Sequence, residues 1–340
     1  MPRTARRPAL VIAGLTVALV AAVMAGVAFG AVPVSLADIA GAVYRGLGGG
    51  GAAGVSDTLV LGLRIPRVLL AALVGACLSG AGVLYQALFK NALADPYILG
   101  VSSGAGLGAV LALAFGGVGA LAAVLVPASA FVGATLTMLL VVAIASRAGR
   151  LETLSLLLAG VAVSYTLAAL TSFAMVVRRE TMARIVFWMM GGLQSATWQY
   201  VAVVGVMLVV GLALPLANAR ELDIILLGDE RAGQLGVNVR NLERIVLASA
   251  SLMVAAAVSV AGLIGFVGLM TPHMTRLVLG PRHRLLLPAS VIAGAIVMVM
   301  ADLFARVVLA PVELPVGIVT ALAGGPVFVW LLMRDRRRTL

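Results

Sequence analysis

Charged residues are scarce in this sequence. They account for 11% of its 340 residues, whereas 62% are hydrophobic, and the mean hydropathy is +1.16. Because a soluble globular protein has about 25% charged residues, this composition excludes a soluble domain. The apolar runs are long rather than short and alternating, which excludes a membrane β-barrel. We therefore predict an all-α, polytopic membrane protein.

Side chains that support catalysis or metal binding are also few. Cys77 is the single cysteine, which excludes a disulfide or a cysteine metal site within one chain. Lys90 is the single lysine and lies in Phe-Lys-Asn, so the chain lacks the motif G-x-x-x-x-G-K-[ST] of a P-loop ATPase. His273 and His283 are too few for a typical metal centre. We expect no catalytic residue and no cofactor bound by this chain. If its function consumes ATP with Mg²⁺, another subunit supplies the hydrolysis.

The lysines and arginines sit singly or in small groups at the ends of apolar runs. This placement is a topology signal, so the net charge of +11 does not predict a nucleic-acid partner. With the N-terminus in the cytoplasm, most of these cations fall on the cytoplasmic side, which favours ten spans with both termini inside. We expect the first span to be retained, with cleavage near Phe29 as the alternative. The predicted spans are 9–31, 67–88, 97–115, 120–145, 152–177, 200–217, 245–262, 264–280, 285–308 and 315–333.

The longest polar interval, 218–244, lies between the sixth and seventh predicted spans. It holds five of the 13 acidic residues, and charge of this density cannot lie in hydrocarbon. We predict two short amphipathic helices in the cytoplasm, joined by a bend at 233–236. Two interpretations stay open at this point: docking of a cytoplasmic partner, and a solvated loop, which is the usual meaning of a charged run. The predicted apolar side of the helices consists of Leu222, Ile224, Ile225, Leu226 and Leu235.

Several arginines at the predicted outer ends of spans run against the positive-inside bias. An acidic docking partner outside the membrane is one explanation, and contact with lipid head groups is the other. These arginines are Arg64 and Arg67 before the second span, and Arg178, Arg179 and Arg184 after the fifth.

One pair of ionisable residues lies inside a predicted span. Asp302 and Arg306 are four residues apart, which places them on one helix face. Ionisable residues inside a membrane are functional candidates. Because these two neutralise each other, however, we predict a structural ion pair.

Several motifs follow one another along the chain. They are LRIPR (63–67), GACLSGAGVLYQALFKNALADPYILGVSSGAGLGA (75–109), FWMMGGL (187–193), LGDERAGQLGV (227–237), GLIGFVGLMTPHMTRLVLG (262–280) and ELPVG (313–317). In this order and spacing they resemble the FecCD family of ABC-importer permeases, from about Leu63 to Leu332. Ala92 and Gly192 depart from the family pattern, in which proline and serine are usual, and this leaves the geometry of two loops open.

The resemblance implies a single membrane domain, 1–340, in the cytoplasmic (inner) membrane. Two copies would form a homodimer around a central pathway, and two cytoplasmic ATPases would bind the coupling-helix region 218–244. An extracytoplasmic substrate-binding protein would dock through its acidic residues on Arg64, Arg67, Arg178 and Arg179. The coupling residues implied are Leu222, Leu227, Gly228, Asp229, Glu230, Arg231, Ala232, Leu235 and Gly236.

The predicted function is therefore that of a permease subunit for an iron-siderophore, cobalamin or haem. The resemblance implies that the fifth and tenth spans line much of the pathway, and their position makes Ser164, Thr166 and Thr171 candidates to face it. The alternative is a secondary transporter of an amphipathic solute, driven by an ion gradient and independent of any ATPase.

Overall fold

The computed structural model of the chain describes residues 3–30, 34–47, 54, 57–116, 119–147 and 153–336. Within these ranges the regular structure is helical, and no strand is present. A π-helix, Thr58–Arg64, leads into α3, and a 3₁₀ turn, Arg179–Thr181, precedes α7. In chain order the helices are α1 (Arg3–Ala28), α2 (Leu36–Leu47), α3 (Ile65–Leu88), α4 (Val101–Phe115), α5 (Ala120–Arg147), α6 (Thr153–Val177), α7 (Met182–Met189), α8 (Trp198–Ala217), α9 (Ala219–Ile225), α10 (Asp229–Gln234), α11 (Val239–Ala261), α12 (Val267–Leu279), α13 (His283–Val307) and α14 (Val316–Arg336).

Seven of these helices are long and apolar enough to cross a membrane: α1, α3 with its π-helix, α5, α6, α8, α11 and α13. The helices α4 and α14 are apolar but shorter by the same measure. All ten predicted spans overlap a helix, including the short α12, which carries Pro272. The prediction of an all-α, multi-pass membrane protein is confirmed, and the exact number of crossings stays a prediction.

Four short elements were not predicted: α2, the π-helix, the 3₁₀ turn and α7. The helix α2 begins where the Ser35 hydroxyl accepts a hydrogen bond from the backbone N–H of Asp38 at 3.1 Å. Similar side-chain caps start two of the long helices. At the start of α8 the Thr197 hydroxyl accepts a hydrogen bond from the backbone N–H of Tyr200 at 3.3 Å. At the start of α11 the Asn238 side-chain oxygen accepts one from the backbone N–H of Asn241 at 3.1 Å. Such caps satisfy donors that the first turn of a helix leaves free.

The central helix of the bundle is α3, which contacts α11, α12 and α13. Every residue from Val74 to Leu88 is buried. A Cβ on Gly75 would overlap the carbonyl oxygen of Gly294 in α13, and one on Gly82 would overlap that of Gly268 in α12. Small residues thus bring three backbones into direct contact, as is typical of helices that pack in lipid.

Residues 89–100, between α3 and α4, form an irregular segment within this bundle. The Tyr97 hydroxyl donates to the Ile264 carbonyl at 2.9 Å and accepts from the Ile264 N–H at 3.0 Å. A Cβ on Gly268 would lie 2.5 Å from the ring of Pro96. The predicted third span, 97–115, is therefore helical only from Val101. Its start is non-helical backbone that other parts of the protein shield, as hydrocarbon requires.

Large apolar faces remain uncovered in the single chain, most clearly on α6 and α14. On α6 the side chains of Leu158, Tyr165 and Phe173 are exposed, and on α14 those of Leu322 and Val329. Faces of this kind contact lipid or another protein.

Candidate functional site

The polar interval 218–244 forms the two short helices that the sequence predicts, α9 and α10. The position of the bend was predicted wrongly. The helices part at Gly228, whose φ of +105° is a conformation that residues with a Cβ rarely adopt. Gly236, with φ +85°, lies instead in the turn between α10 and α11.

Burial divides the apolar residues of this interval into two groups. Leu222 and Ile225 of α9 and Ala232 of α10 are buried and fix the two helices to the bundle. In contrast, Leu227 and Leu235 are 56% and 62% exposed. The predicted apolar side was therefore wrong for Leu235, which points away from the bundle. Leu227 and Leu235 are thus uncovered on either side of α10 and available for contact with another protein.

The charged residues of the interval also divide into bound and free groups. The Lys90 ammonium lies 2.6 Å from Asp229 Oδ1, although the two residues are 139 positions apart. Asp223 Oδ1 accepts a hydrogen bond from the backbone N–H of His283 at 2.7 Å and lies 2.7 Å from its Nδ1. Glu230 and Arg231 are exposed on α10. The surface next to the two leucines thus presents charges of both signs.

A second polar cluster lies at the opposite end of α3 and α13. Asp302 lies between two arginines, with its Oδ1 2.9 Å from Arg67 Nε and its Oδ2 2.9 Å from Arg306 Nε. Arg67 also donates through Nη1 to both oxygens of Glu313, at 3.0 and 2.9 Å. The predicted pair of Asp302 and Arg306 is thus present, as part of a larger network that joins α3, α13 and the segment before α14.

Arg306 of this cluster and the neighbouring Arg64 cap the C-terminal end of α1. Arg64 Nη1 donates to the carbonyls of Val27 and Ala28 at 2.9 and 3.1 Å, and Arg306 donates through Nη2 to Gly26 at 2.9 Å. The last carbonyls of a helix lack partners within it and carry partial negative charge, so cations stabilise this end. Arg64 is buried, which turns it toward α1 and away from the surface.

The other two predicted docking residues lie on the turn after α6. Arg178 donates through Nε to the Ala114 carbonyl at 3.0 Å and stacks over the Phe115 ring, 5.0 Å from its centroid. Its Nη1 lies 3.3 Å from Glu180. Arg179 is exposed. The four predicted docking arginines are therefore not one surface: Arg179 faces outward, whereas the others bind groups of this chain.

The three predicted pathway residues lie on α6, but they do not share one face. Each hydroxyl donates to the carbonyl four residues earlier: Ser164 at 2.7 Å, Thr166 at 3.0 Å and Thr171 at 2.9 Å. Thr171 is buried and Ser164 half-buried, while Thr166 is exposed. Thr166 is therefore the one that lies on the uncovered surface of α6.

A cavity of about 250 Å³ adjoins the FWMMGGL motif. Its lining combines aromatic, amide and backbone groups from Trp188, Gly192, Gln194, Ala261 and Pro315. Pockets for drug-sized ligands have volumes of about 300–1,000 Å³. This cavity is thus too small to enclose a large organic solute by itself.

The sequence did not predict four residues that form contacts in the two polar regions. Lys90, Asp223 and His283 anchor the segment with α9 and α10, and Glu313 belongs to the cluster at the opposite end. In the sequence, Lys90 stands out only as the single lysine, and Glu313 only as part of a motif. No local pattern pairs residues as distant as Asp223 and His283, which are 60 positions apart. Only the packing of α9 beside the start of α13 brings them together.

Comparison with known proteins gives consistent matches over most of the chain. The family model described as the FecCD transport family matches residues 18–334. The cobalamin import system permease protein of Halobacterium salinarum is 46% identical over 83% of this chain and 76% of its own length. The hemin transport system permease protein of Yersinia pestis is 40% identical over 82% of this chain and 84% of its own. A solved metal-chelate type ABC transporter in an inward-facing conformation superposes with a TM-score of 0.83 at 30% identity, covering 95% of this chain and 98% of the other.

Proposed function

Since this chain belongs to the FecCD transport family, we infer that it is the membrane-spanning permease subunit of an ATP-binding-cassette importer. The two relatives are named as permease proteins of a cobalamin import system and of a hemin transport system. The uncovered leucines of the segment between α8 and α11 are the observation in this chain that carries the proposal, because a permease without an ATPase of its own needs a surface that receives one.

We propose that the cargo is a metal-bearing organic chelate of the iron-siderophore, cobalamin or haem class. The names of the relatives support this class, since they specify cobalamin and hemin, and the superposed transporter is of the metal-chelate type. The cavity of about 250 Å³ beside Trp188 is too small to enclose such a chelate, so we place the pathway elsewhere.

The functional unit that we propose contains two copies of this permease around a central pathway. The uncovered faces of α6 and α14 support it, since these are the helices that the fifth and tenth predicted spans became. Thr166 is our candidate to face the pathway. We propose ten spans with both termini in the cytoplasm, and an inner-membrane location.

We propose that two cytoplasmic ATPases, which bind ATP and Mg²⁺, dock on the coupling region 218–244. In this scheme Leu227 and Leu235 enter apolar recesses of the ATPase, while Asp229, Glu230 and Arg231 orient it. Leu222 and Ala232 keep the two helices on the bundle, and Gly228 and Gly236 supply the turns. Binding and hydrolysis of ATP then move the helices, and the pathway alternates between its two openings.

The docking test compares two charge-introducing variants of exposed leucines. Leu227→Asp places a carboxylate in the proposed contact, and Leu309→Asp does so at the opposite end of the bundle, where Leu309 is also exposed. Truncating a hot-spot residue at the centre of an interface costs about 2 kcal/mol or more, and about 2 kcal/mol is equivalent to about 30-fold in affinity. We expect the Leu227 variant, but not the Leu309 variant, to lose about this much affinity for the ATPase in nanodiscs. Equal binding by both variants and the native chain would refute the coupling role.

An extracytoplasmic binding protein is the remaining partner that we propose, with acidic residues that meet the arginines of the opposite end. Because Arg179 is the exposed member of the predicted set, Arg179→Glu should weaken docking more at low salt than at high salt. Arg64 and Arg67, if they take part, must exchange partners in this chain for partners in the binding protein. Binding that is unchanged in Arg179→Glu at every salt concentration would remove this residue from the proposed surface.

A further inference from the structure

Each of the two short cytoplasmic helices is fastened by a carboxylate to the inner end of a different long helix. Asp223 of α9 contacts His283, the first residue of α13, through both the backbone N–H and the ring Nδ1. Asp229, the first residue of α10, contacts Lys90, which follows α3 by two residues. A movement of α9 and α10 is therefore transferred to α3 and α13 through these two contacts.

The contact to His283 is the firmer of the two. The His283 side chain is fully buried, and its backbone N–H is one of the donors that the first turn of α13 leaves free. A carboxylate at this position accepts that hydrogen bond and faces the positive end of the helix dipole. Asp223 itself is 37% exposed, so the firmness of this contact comes from its buried partner. In the other pair neither side chain is buried, since Lys90 and Asp229 are 34% and 56% exposed, and ion pairs of this kind contribute little.

The geometry also defines the state of the imidazole. A carboxylate only accepts hydrogen bonds, so Nδ1 of His283, 2.7 Å from Asp223, carries the hydrogen. Nε2 is buried and has no hydrogen-bond partner in the described part of the chain. Because burial of the ring disfavours its charged form, we assign a neutral imidazole whose Nδ1–H donates to Asp223.

Beyond this contact, α13 and α3 are joined along their length. The Gly75 and Gly294 backbones touch, and the Ser79 hydroxyl donates to the Ser290 carbonyl at 2.7 Å. At the outer end, Arg67 and Asp302 connect the same two helices. Closely packed interiors transmit displacement because their side chains leave no space to absorb it. The two helices thus form a continuous unit from the coupling region to the outer polar cluster.

We propose that the Asp223–His283 contact is the joint through which movement of the coupling helices is transferred to α13 and α3, and hence to the outer end of the permease. This inference rests on the proposed function, since it requires an ATPase that moves α9 and α10. Asp223 and His283 are positioning residues in this scheme, because they contact neither cargo nor nucleotide. Lys90 and Asp229 form a weaker second connection.

The test measures cargo transported per ATP hydrolysed, in proteoliposomes that contain the complete transporter and its binding protein. Asp223→Ala removes the acceptor, and Asp223→Asn retains an oxygen that accepts from the His283 backbone. Glu221→Ala is the matched control, because it removes a carboxylate from the same helix. Copurification of the ATPase with each variant is measured in parallel, so that loss of assembly is separated from loss of coupling.

We expect Asp223→Ala to lower transport per ATP about tenfold, the factor that the loss of one charge-assisted hydrogen bond represents, with the ATPase still bound. Asp223→Asn should recover part of this ratio, and Glu221→Ala and Lys90→Ala should change it by less than about threefold. An unchanged ratio in Asp223→Ala would overturn the inference, as would equal losses in Glu221→Ala. Should Asp223→Ala fail to fold, Asp223→Asn decides: a ratio clearly below native with native assembly would support the joint, and a native ratio would overturn it. If the native permease itself does not bind an ATPase, the proposed function fails, independently of the joint.

Discussion

The polar cluster at the outer end of α3 and α13 allows a quantitative test of how a buried charge is held. Asp302 is the single carboxylate between Arg67 and Arg306, and its side chain is 1% exposed. In Asp302→Asn the shape of the side chain is kept, but two guanidinium groups, on side chains 12% and 6% exposed, lose their shared counter-charge. Breaking a buried ion pair by removal of one partner costs about 3–5 kcal/mol. We expect a loss toward the lower end, about 3 kcal/mol, because Arg67 keeps Glu313 and Arg306 keeps the carbonyls of α1.

Glu313→Gln is the matched control, because it removes a carboxylate from the same Arg67. The Glu313 side chain is 34% exposed, so water replaces much of what is lost. We expect this variant to lose less than about 1 kcal/mol, as is usual for exposed pairs. The difference between the two variants isolates the effect of burial, since both replace a carboxylate by the corresponding amide.

The measurement is equilibrium unfolding in mixed micelles of a nonionic detergent and sodium dodecyl sulfate, followed by the fluorescence of the three tryptophans. A double variant, Asp302→Asn with Arg67→Gln, should be less destabilised than the sum of its single variants, by about 0.5–3 kcal/mol, because one of the two cations that lost their counter-charge is then gone. A loss below about 1 kcal/mol in Asp302→Asn, or a loss equal to that of Glu313→Gln, would refute the reasoning. It would mean that water reaches the cluster and replaces the carboxylate.

Two further predictions concern close contacts in the bundle. Gly75→Val should abolish the yield of monodisperse protein in size-exclusion chromatography, because its Cβ would overlap the Gly294 carbonyl. Gly106→Ala is the control and should be recovered normally, since the added Cβ meets nothing within 4 Å. A normal yield of Gly75→Val would show that α3 and α13 can separate. Tyr97→Phe removes both hydrogen bonds to the Ile264 backbone and should lower the free energy of unfolding by about 1–3 kcal/mol, the cost of buried polar groups left without partners. A native unfolding curve for Tyr97→Phe would contradict the assigned role of the hydroxyl.

The outer arginines show how the two kinds of information differ. The sequence placed Arg64 and Arg67 at the outer end of a span, and this position alone suggested a surface for a partner. In the structure Arg64 caps α1 and Arg67 binds two carboxylates, so their charge already has a function within the chain. Docking by these residues would have to compete with those contacts, which makes Arg179 the better first target for mutation.

The sequence by itself determined the helical membrane class, the approximate bounds of the long helices and the polar interval between α8 and α11. These features follow from local composition, because a run of apolar residues of sufficient length is stable in lipid only as a helix, and a charged run is stable only in water. Only the tertiary structure decided which charges are buried and which are exposed, and how α9 and α10 are fastened. Lys90 and Asp229 are 139 positions apart, and Asp223 and His283 are 60 apart. Such pairs depend on how the helices cross, which results from many contacts along the whole chain and from no single segment of it.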